Sequence, residues 1–224
     1  MQTLVRTVNR HLSLELLLLC SPLLSVIALA QALPSANKPT FHVGDYFLYC
    51  DYDLRTNEKK GCHTLEYIEG RNIGTGSGEH IFQRKEMDSG ATSEVRLTEQ
   101  LATRFRGLDG ATFEPHNYTF EFPFQVGSRW RGQYDIRFEK DPSRNQNRTK
   151  TAEVVGYEDV KVPAGDFKAF KIKYDNWRNE RGVTRPADEV VYFCPDLGVW
   201  CLYESEALGS VRTRLVEVRR GTAK

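Results

Sequence analysis

Residues 160–174 read VKVPAGDFKAFKIKY, and this stretch predicts two antiparallel β-strands joined by a tight turn. Pro163 fixes its own φ at the first turn position, and Gly165 can adopt the positive φ that closes a short hairpin. After the turn, Phe170, Ile172 and Tyr174 alternate with lysines. This period of two places apolar side chains on one face of the strand and cations on the other.

A second hairpin follows at residues 190–203, which read VVYFCPDLGVWCLY. From Phe41 onward, short strand-like segments alternate with turns, a spacing that favours an antiparallel sheet over βαβ units. We therefore expect a mainly β fold of ten to twelve strands, forming a strongly curved sheet or partial barrel with at most one or two short helices. The candidate helix is 99–106, because Leu101 and Phe105 lie four residues apart.

The amino terminus has the pattern of a secretory signal peptide. Arg6 and Arg10 precede an apolar run over residues 16–30. We predict a signal peptide over residues 1–32 and a single exported β-rich domain over residues 33–224, periplasmic or secreted, with no transmembrane span after cleavage.

Small residues allow cleavage after Ala30 or Ala32. A membrane anchor is an alternative, although the apolar run is short for a span of about 20 residues. A lipoprotein modified at Cys20 is another alternative, although Leu19 is larger than the small residue usual before such a cysteine.

The charge balance argues against nucleic acid as a partner. The chain has 31 basic and 30 acidic side chains, and loss of Arg6, Arg10 and Glu15 leaves 29 of each. A neutral domain has no overall field that would attract nucleic acid or an anionic membrane.

Four cysteines lie beyond the predicted signal peptide, and an even number in an exported chain indicates disulfide bonds. We predict the pairs Cys50–Cys62 and Cys194–Cys201, because each pair lies within one predicted hairpin. A zinc site is the alternative, but its thiolates usually come in pairs with two to four residues between them. The intervals of eleven and six residues fit that pattern poorly, so no metal site is predicted.

Two segments of the chain resemble each other. Residues 41–49 (FHVGDYFLY) and 124–130 (FQVGSRW) both read aromatic-x-Val-Gly-x-x-aromatic. One interpretation is a duplication that gives two similar halves, about 41–110 and 120–218. The other interpretation is that two strands begin with the same local turn.

The motifs at 124–130, 162–169 (VPAGDFKA) and 191–200 (VYFCPDLGVW) resemble exported bacterial domains labelled TapB-like. The resemblance covers about residues 120–218, with a weaker echo at 41–49. It implies a β-rich secreted or periplasmic protein and supplies no catalytic residue. The four cysteines depart from the family pattern.

Motifs for enzyme chemistry are weak. Ser77 lies in a Gly-rich loop without the Gly-x-Ser-x-Gly spacing of a nucleophile elbow. Pairing of strands 41–50 and 62–69 could bring His42 and His63 together near Glu66 as a metal site, but surface histidines are the more ordinary interpretation. We predict no catalytic residue, no metal and no cofactor.

Asp51 and Asp53 lie in the loop that Cys50 and Cys62 close. Two carboxylates can hold a cation or perform acid–base chemistry, and a hydrolase using Asp51 and Glu66 is the enzymatic alternative. Neighbouring basic residues favour a solvated turn instead.

Mixed arginine and aromatic residues are the candidates for binding. Trp130, Tyr134, Trp177 and Arg178 could contact a ligand or partner by stacking. We expect an exported, non-catalytic binding or assembly protein, with an apolar small molecule such as a lipid held inside the sheet. The alternative is a module that binds a protein partner through loops or an edge strand.

Overall fold

The computed structural model of the protein describes residues 33–72, 78–180, 182–206 and 209–222. The predicted signal peptide and the Gly-rich loop with Ser77 lie outside these residues. Within these ranges, no helix is both long and apolar enough to cross a membrane.

The described residues form strands and one 3₁₀ turn. They are β1 (Ser35–Ala36), β2 (Tyr46–Asp53), β3 (Lys59–Asn72), β4 (Gly78–Glu86), β5 (Thr92–Thr98), β6 (Thr103–Arg106), β7 (Ala111–Glu114), β8 (Phe124–Gln125), β9 (Arg129–Phe138), the 3₁₀ turn Pro142–Arg144, β10 (Gln146–Val162), β11 (Gly165–Glu180), β12 (Val183–Pro186), β13 (Glu189–Cys194), β14 (Val199–Ser205) and β15 (Val211–Arg219).

Twelve of these strands close into an antiparallel barrel. The order around it is β2, β3, β4, β5, β6, β7, β9, β10, β11, β13, β14 and β15, which pairs again with β2. Each barrel strand therefore pairs with the barrel strands that precede and follow it in the sequence, and the first pairs with the last. The short strand β12 lies outside the ring and pairs with β11. The expected strongly curved antiparallel sheet is confirmed, and its ring is fully closed.

The barrel has two different ends. We call the end with the β2–β3, β9–β10 and β14–β15 turns the upper end, and the end with the β10–β11 and β13–β14 turns the lower end. Because neighbouring strands run antiparallel, every strand joins these two ends.

Both predicted hairpins are present. Val162 pairs with Gly165 across the Pro163–Ala164 turn, and Gly165 has a φ of 141°. In β11, Phe170 and Ile172 are fully buried while Lys173 is exposed. The alternation seen in the sequence therefore separates the inside of the barrel from the outside.

The predicted disulfides are confirmed. Cys50 in β2 pairs in register with Cys62 in β3, and their sulfurs are bonded. Cys194 at the end of β13 is bonded to Cys201 in β14. Each disulfide therefore joins adjacent strands of one hairpin.

The predicted helix at 99–106 is wrong. Thr103–Arg106 is strand β6, and the residues before it form a turn in which Leu101 has a φ of 55°. The Thr98 hydroxyl accepts hydrogen bonds from the backbone N–H groups of Gln100 and Ala102. Side-chain capping by Thr98 and pairing of β6 with β5 thus override a weak helical spacing.

The two similar segments, at 41–49 and 124–130, each form a turn of the same kind. Gly44 and Gly127 both have a φ of 89°, and in each case the next residue donates its N–H to the carbonyl three residues earlier. The turns precede β2 and β9, each the first of six consecutive barrel strands. Duplication of two halves stays a prediction.

The lower end of the barrel is filled by residues 115–123, which we call the plug segment. Trp130 donates its indole N–H to the Tyr118 carbonyl, and the Tyr174 hydroxyl donates to the Thr119 carbonyl. Phe120 and Phe122 pack at ring-centroid distances of 5.1 and 5.2 Å from the buried Phe193. The plug segment thus lies against the inner face of β9, β11 and β13.

Candidate functional site

Above the plug segment the barrel encloses a cavity of about 590 Å³. This volume lies within the range of about 300–1,000 Å³ that is typical of small-molecule sites. Nearly every strand of the ring contributes to its wall. The cavity is therefore formed by closure of the whole barrel and not by any single hairpin.

The wall changes from apolar to polar along the strands. In β2, Phe47 and Tyr49 line the lower part of the cavity and Asp51 the upper part. The same order holds for Leu65 and His63 in β3. Phe82 and Arg84 in β4 and Val191 and Glu189 in β13 repeat it. On these four strands the wall is thus apolar in its lower part and polar in its upper part, whereas Phe138 in β9 and Val211 in β15 keep apolar groups near the upper end.

Aromatic and aliphatic side chains form the lower part. Phe41 packs edge-on to Phe47 and Phe82, with ring centroids 6.2 and 5.2 Å apart. Apolar residues of other strands and loops complete this wall: Leu65, Val95, Leu97, Leu101 and Phe120. These surfaces bind apolar groups through the hydrophobic effect.

A buried ion pair lies in the upper part. The Lys150 ammonium is 3.5 Å from a carboxylate oxygen of Glu189 and 4.6 Å from the centre of the Tyr174 ring. The Tyr203 hydroxyl lies near Glu189 and Ser205. Burial, with the Glu189 charge, raises the pKa of Tyr203, so this hydroxyl stays protonated at neutral pH.

Arg148 lies two residues before Lys150 on the same inner face of β10. It is only 8% exposed, and its guanidinium donates two hydrogen bonds to the side-chain oxygen of Gln146. Across the sheet it pairs in register with Tyr134 in β9 and Arg178 in β11. The three side chains line one side of the cavity.

His63, Asp51 and Thr213 occupy another part of the upper wall. The Thr213 hydroxyl donates to Asp51, and His63 Nδ1 is 3.9 Å from the other Asp51 oxygen. Burial, reinforced by the Arg84 guanidinium, lowers the pKa of His63 to about 3. The imidazole is therefore neutral at physiological pH, and its contact with Asp51 is not a salt bridge.

The predicted binding residues separate into different environments. Tyr134 and Arg178 line the cavity, whereas Trp130 is buried beside the plug segment. Trp177 points away from the barrel and is 47% exposed. The structure thus brings Tyr134 and Arg178 together inside and leaves Trp177 on the outer surface.

The residues suggested for enzyme chemistry do not converge. Glu66 is exposed, whereas Asp51 faces the cavity. Asp53 accepts hydrogen bonds from the backbone N–H groups of Arg55 and Thr56, as expected of a turn. His42 is exposed while His63 is buried. In the described ranges, no three His, Cys, Asp or Glu side chains form a group that could hold a metal ion.

Arg148 and Lys150 are the cavity residues that sequence reasoning missed. The alternation along β10 could have identified them, because Arg148 and Lys150 lie at the same alternating positions as the buried Ala152 and Val154. A cation in phase with a buried apolar row points toward the interior.

Comparison with known proteins identifies the fold. No family model matches the chain, and no curated protein does. A solved structure from Bacteroides fragilis NCTC 9343, of a protein inferred to be exported and described as having a YmcC-like fold, has a TM-score of 0.60 and 12% identity. That match covers 83% of this chain and 100% of the other.

A second structure, of an inferred lipoprotein from Parabacteroides distasonis ATCC 8503, has a TM-score of 0.55 and 12% identity. The match covers 82% of this chain and 99% of the other. At this identity, the likeness shows a shared fold. The two disulfides in this chain add an independent indication of an oxidising compartment.

Proposed function

We propose that this protein is an exported, non-catalytic binding protein that holds an apolar small molecule inside its barrel. The observation that carries the proposal is the cavity of about 590 Å³ with its apolar lower part. A cavity of this size, with aromatic and aliphatic groups in its lower part and charged groups above them, has the character of a site for a small molecule.

Export is supported by the disulfides and by the descriptions of the two similar structures. The relationship to TapB-like domains is part of the same proposal. Its support is the motifs at 124–130, 162–169 and 191–200, of which the last two contain the turns between β10 and β11 and between β13 and β14.

The positions of the candidate acids and bases favour binding over catalysis. A useful general base has a pKa near the working pH, and the pKa of His63 is about 3. Glu66, the second acid of the hydrolase alternative, is exposed on a position that does not line the cavity.

Native mass spectrometry tests this proposal. The full chain would be exported by a bacterial host, purified without detergent and sprayed under native conditions. We expect a reproducible extra mass that organic extraction removes. A bare protein that takes up no added apolar compound would refute the proposal.

That negative result would favour a protein-binding role. Trp177 and Val183 are 47% and 49% exposed on the β11–β12 extension, and in the described residues β12 pairs on one side only, with β11. A free strand edge beside an exposed aromatic side chain is a common site for an added strand.

A further inference from the structure

Cations dominate the polar part of the cavity wall. Two acids line it, Asp51 and Glu189. Six cationic side chains also line it: Arg84, Arg106, Arg144, Arg148, Lys150 and Arg178. Arg148 and Lys150 are buried, whereas the Arg106 and Arg144 side chains are 42% and 46% exposed. A buried positive charge is costly unless another group compensates it.

At least four of these cations have acidic partners in the protein. The pairs are Arg84 with Glu86, Arg106 with Asp109, Arg144 with Asp109, and Lys150 with Glu189. Asp109 thus serves two arginines, and Glu189 pairs with Lys150. Asp51, the other acid of the wall, accepts a hydrogen bond from the Thr213 hydroxyl.

Arg148 differs from those four. Arg148 and Arg178 lie opposite each other on two paired strands, and Arg148 is the more deeply buried of the two. The hydrogen-bond partner of Arg148 in the protein is the neutral side-chain amide of Gln146. Among the side chains that the structure describes, no carboxylate lies within 4.0 Å of its guanidinium. A guanidinium in this setting can still bind an anion through charge-assisted hydrogen bonds.

The position of Arg148 relates this charge to the apolar part of the cavity. Lys150 follows it on the inner face of β10, and both side chains line the same cavity as the apolar Phe82 of β4 and Leu97 of β5. A molecule with an anionic group beside Arg148 would therefore direct its remaining length into the apolar lower part.

We propose that the ligand of the barrel is an anionic amphiphile, a long-chain carboxylate in its simplest form, and that Arg148 binds its headgroup. This rests on the proposed function, since it names the class of ligand for the same cavity. The headgroup supplies an anionic partner for Arg148, whose partner in the protein is the neutral Gln146, and the chain lies among Phe41, Phe82 and Leu97.

The test compares two probes that differ only in charge. The fluorescent fatty acid cis-parinaric acid and its methyl ester have the same chain, and their affinities would be measured by fluorescence titration of delipidated protein. We expect the acid to bind at least about tenfold more tightly than the ester, the ratio expected for one charge-assisted hydrogen-bonded contact.

Arg148→Met removes the charge and keeps an unbranched apolar side chain. It should reduce the affinity for the acid about tenfold and leave the affinity for the ester unchanged. The matched control is Arg131→Met, because Arg131 lies on the exposed face of the neighbouring strand β9. Arg148→Lys, which keeps the charge, should retain part of the preference for the acid.

Thermal unfolding separates headgroup binding from a structural role. Without ligand, Arg148→Met should melt at the same or a higher temperature than the wild type, since it removes a buried charge that has no acidic partner. With the acid present, the wild type should gain more stability than the variant.

Equal affinities of the wild type for acid and ester would overturn the anionic ligand and leave the apolar binding function standing. An unchanged preference for the acid in Arg148→Met would overturn the role of Arg148. Failure of both probes to bind the wild type would refute the proposed function as well.

Discussion

The buried His63 should make the stability of this protein depend on pH. His63 is 5% exposed, stacks on Tyr49 at a ring-centroid distance of 5.6 Å and faces Arg84 and Asp51. Its pKa is about 3 in the folded protein, against 6.5 ordinarily. Because the folded value is the lower one, the unfolded chain takes up the proton first as pH falls, and stability decreases from about pH 6.5 toward pH 3.

The size of this effect follows from the two pKa values. Between pH 7.5 and 5.0 the folded imidazole stays neutral, while the unfolded one becomes almost fully protonated. Proton linkage then gives a loss of about 2 kcal/mol in the free energy of unfolding over this interval. The variant His63→Phe keeps an aromatic ring beside Tyr49 and cannot take up the proton.

Urea unfolding of the wild type and His63→Phe at both pH values measures the effect. The wild type should lose about 2 kcal/mol more than the variant between pH 7.5 and 5.0. Burial also lowers the pKa of His80 and His116, but both proteins contain these groups, so their contributions cancel in the comparison. Between pH 7.5 and 8.5 the difference between the proteins should stay constant. Equal losses on acidification would contradict the burial of a neutral His63.

Two further predictions concern the lower end of the barrel. Gly132→Ala should destabilise the protein by about 1–3 kcal/mol in urea unfolding, because a Cβ there would lie 2.2 Å from the Tyr118 ring of the plug segment. Gly156→Ala is its control and should change stability little, since its Cβ would meet only Glu158 at 3.7 Å; equal losses would refute the packing argument. Asp45→Asn should lower the free energy of unfolding by about 2–4 kcal/mol in the same assay. The fully buried Asp45 carboxylate accepts hydrogen bonds from the backbone N–H groups of His42 and Gly221 and forms an ion pair with Arg220 at 3.3 Å. An Asp45→Asn protein as stable as the wild type would show that these contacts are not needed to hold the carboxy-terminal segment.

Local features of the fold could be predicted from the sequence because they depend on residues close together in the chain. The Pro163–Ala164 turn and the disulfide Cys194–Cys201 are examples, since each is decided within one hairpin. The helix predicted from the spacing within 99–106 is wrong because β6 pairs with β5, and the residues of β5 lie outside 99–106.

The candidate site was predictable only in part. The sequence predicts Tyr134, Arg178 and Trp177 as binding residues; Tyr134 and Arg178 line the cavity, whereas Trp177 is on the opposite face. Near the upper end of β11, polar residues occupy both alternating positions. Hydrophobicity there does not distinguish the inner face from the outer one.

The antiparallel strands, the tight turns, the disulfide pairs and the alternation along β11 can all be predicted from the amino-acid pattern. Closure of twelve strands into a ring, filling of one end by the plug segment and the position of Arg148 inside with a neutral partner depend on long-range packing. The physical reason is that strand alternation follows from the local backbone, whereas a cavity and the charge balance of its wall depend on which side chains distant strands bring together.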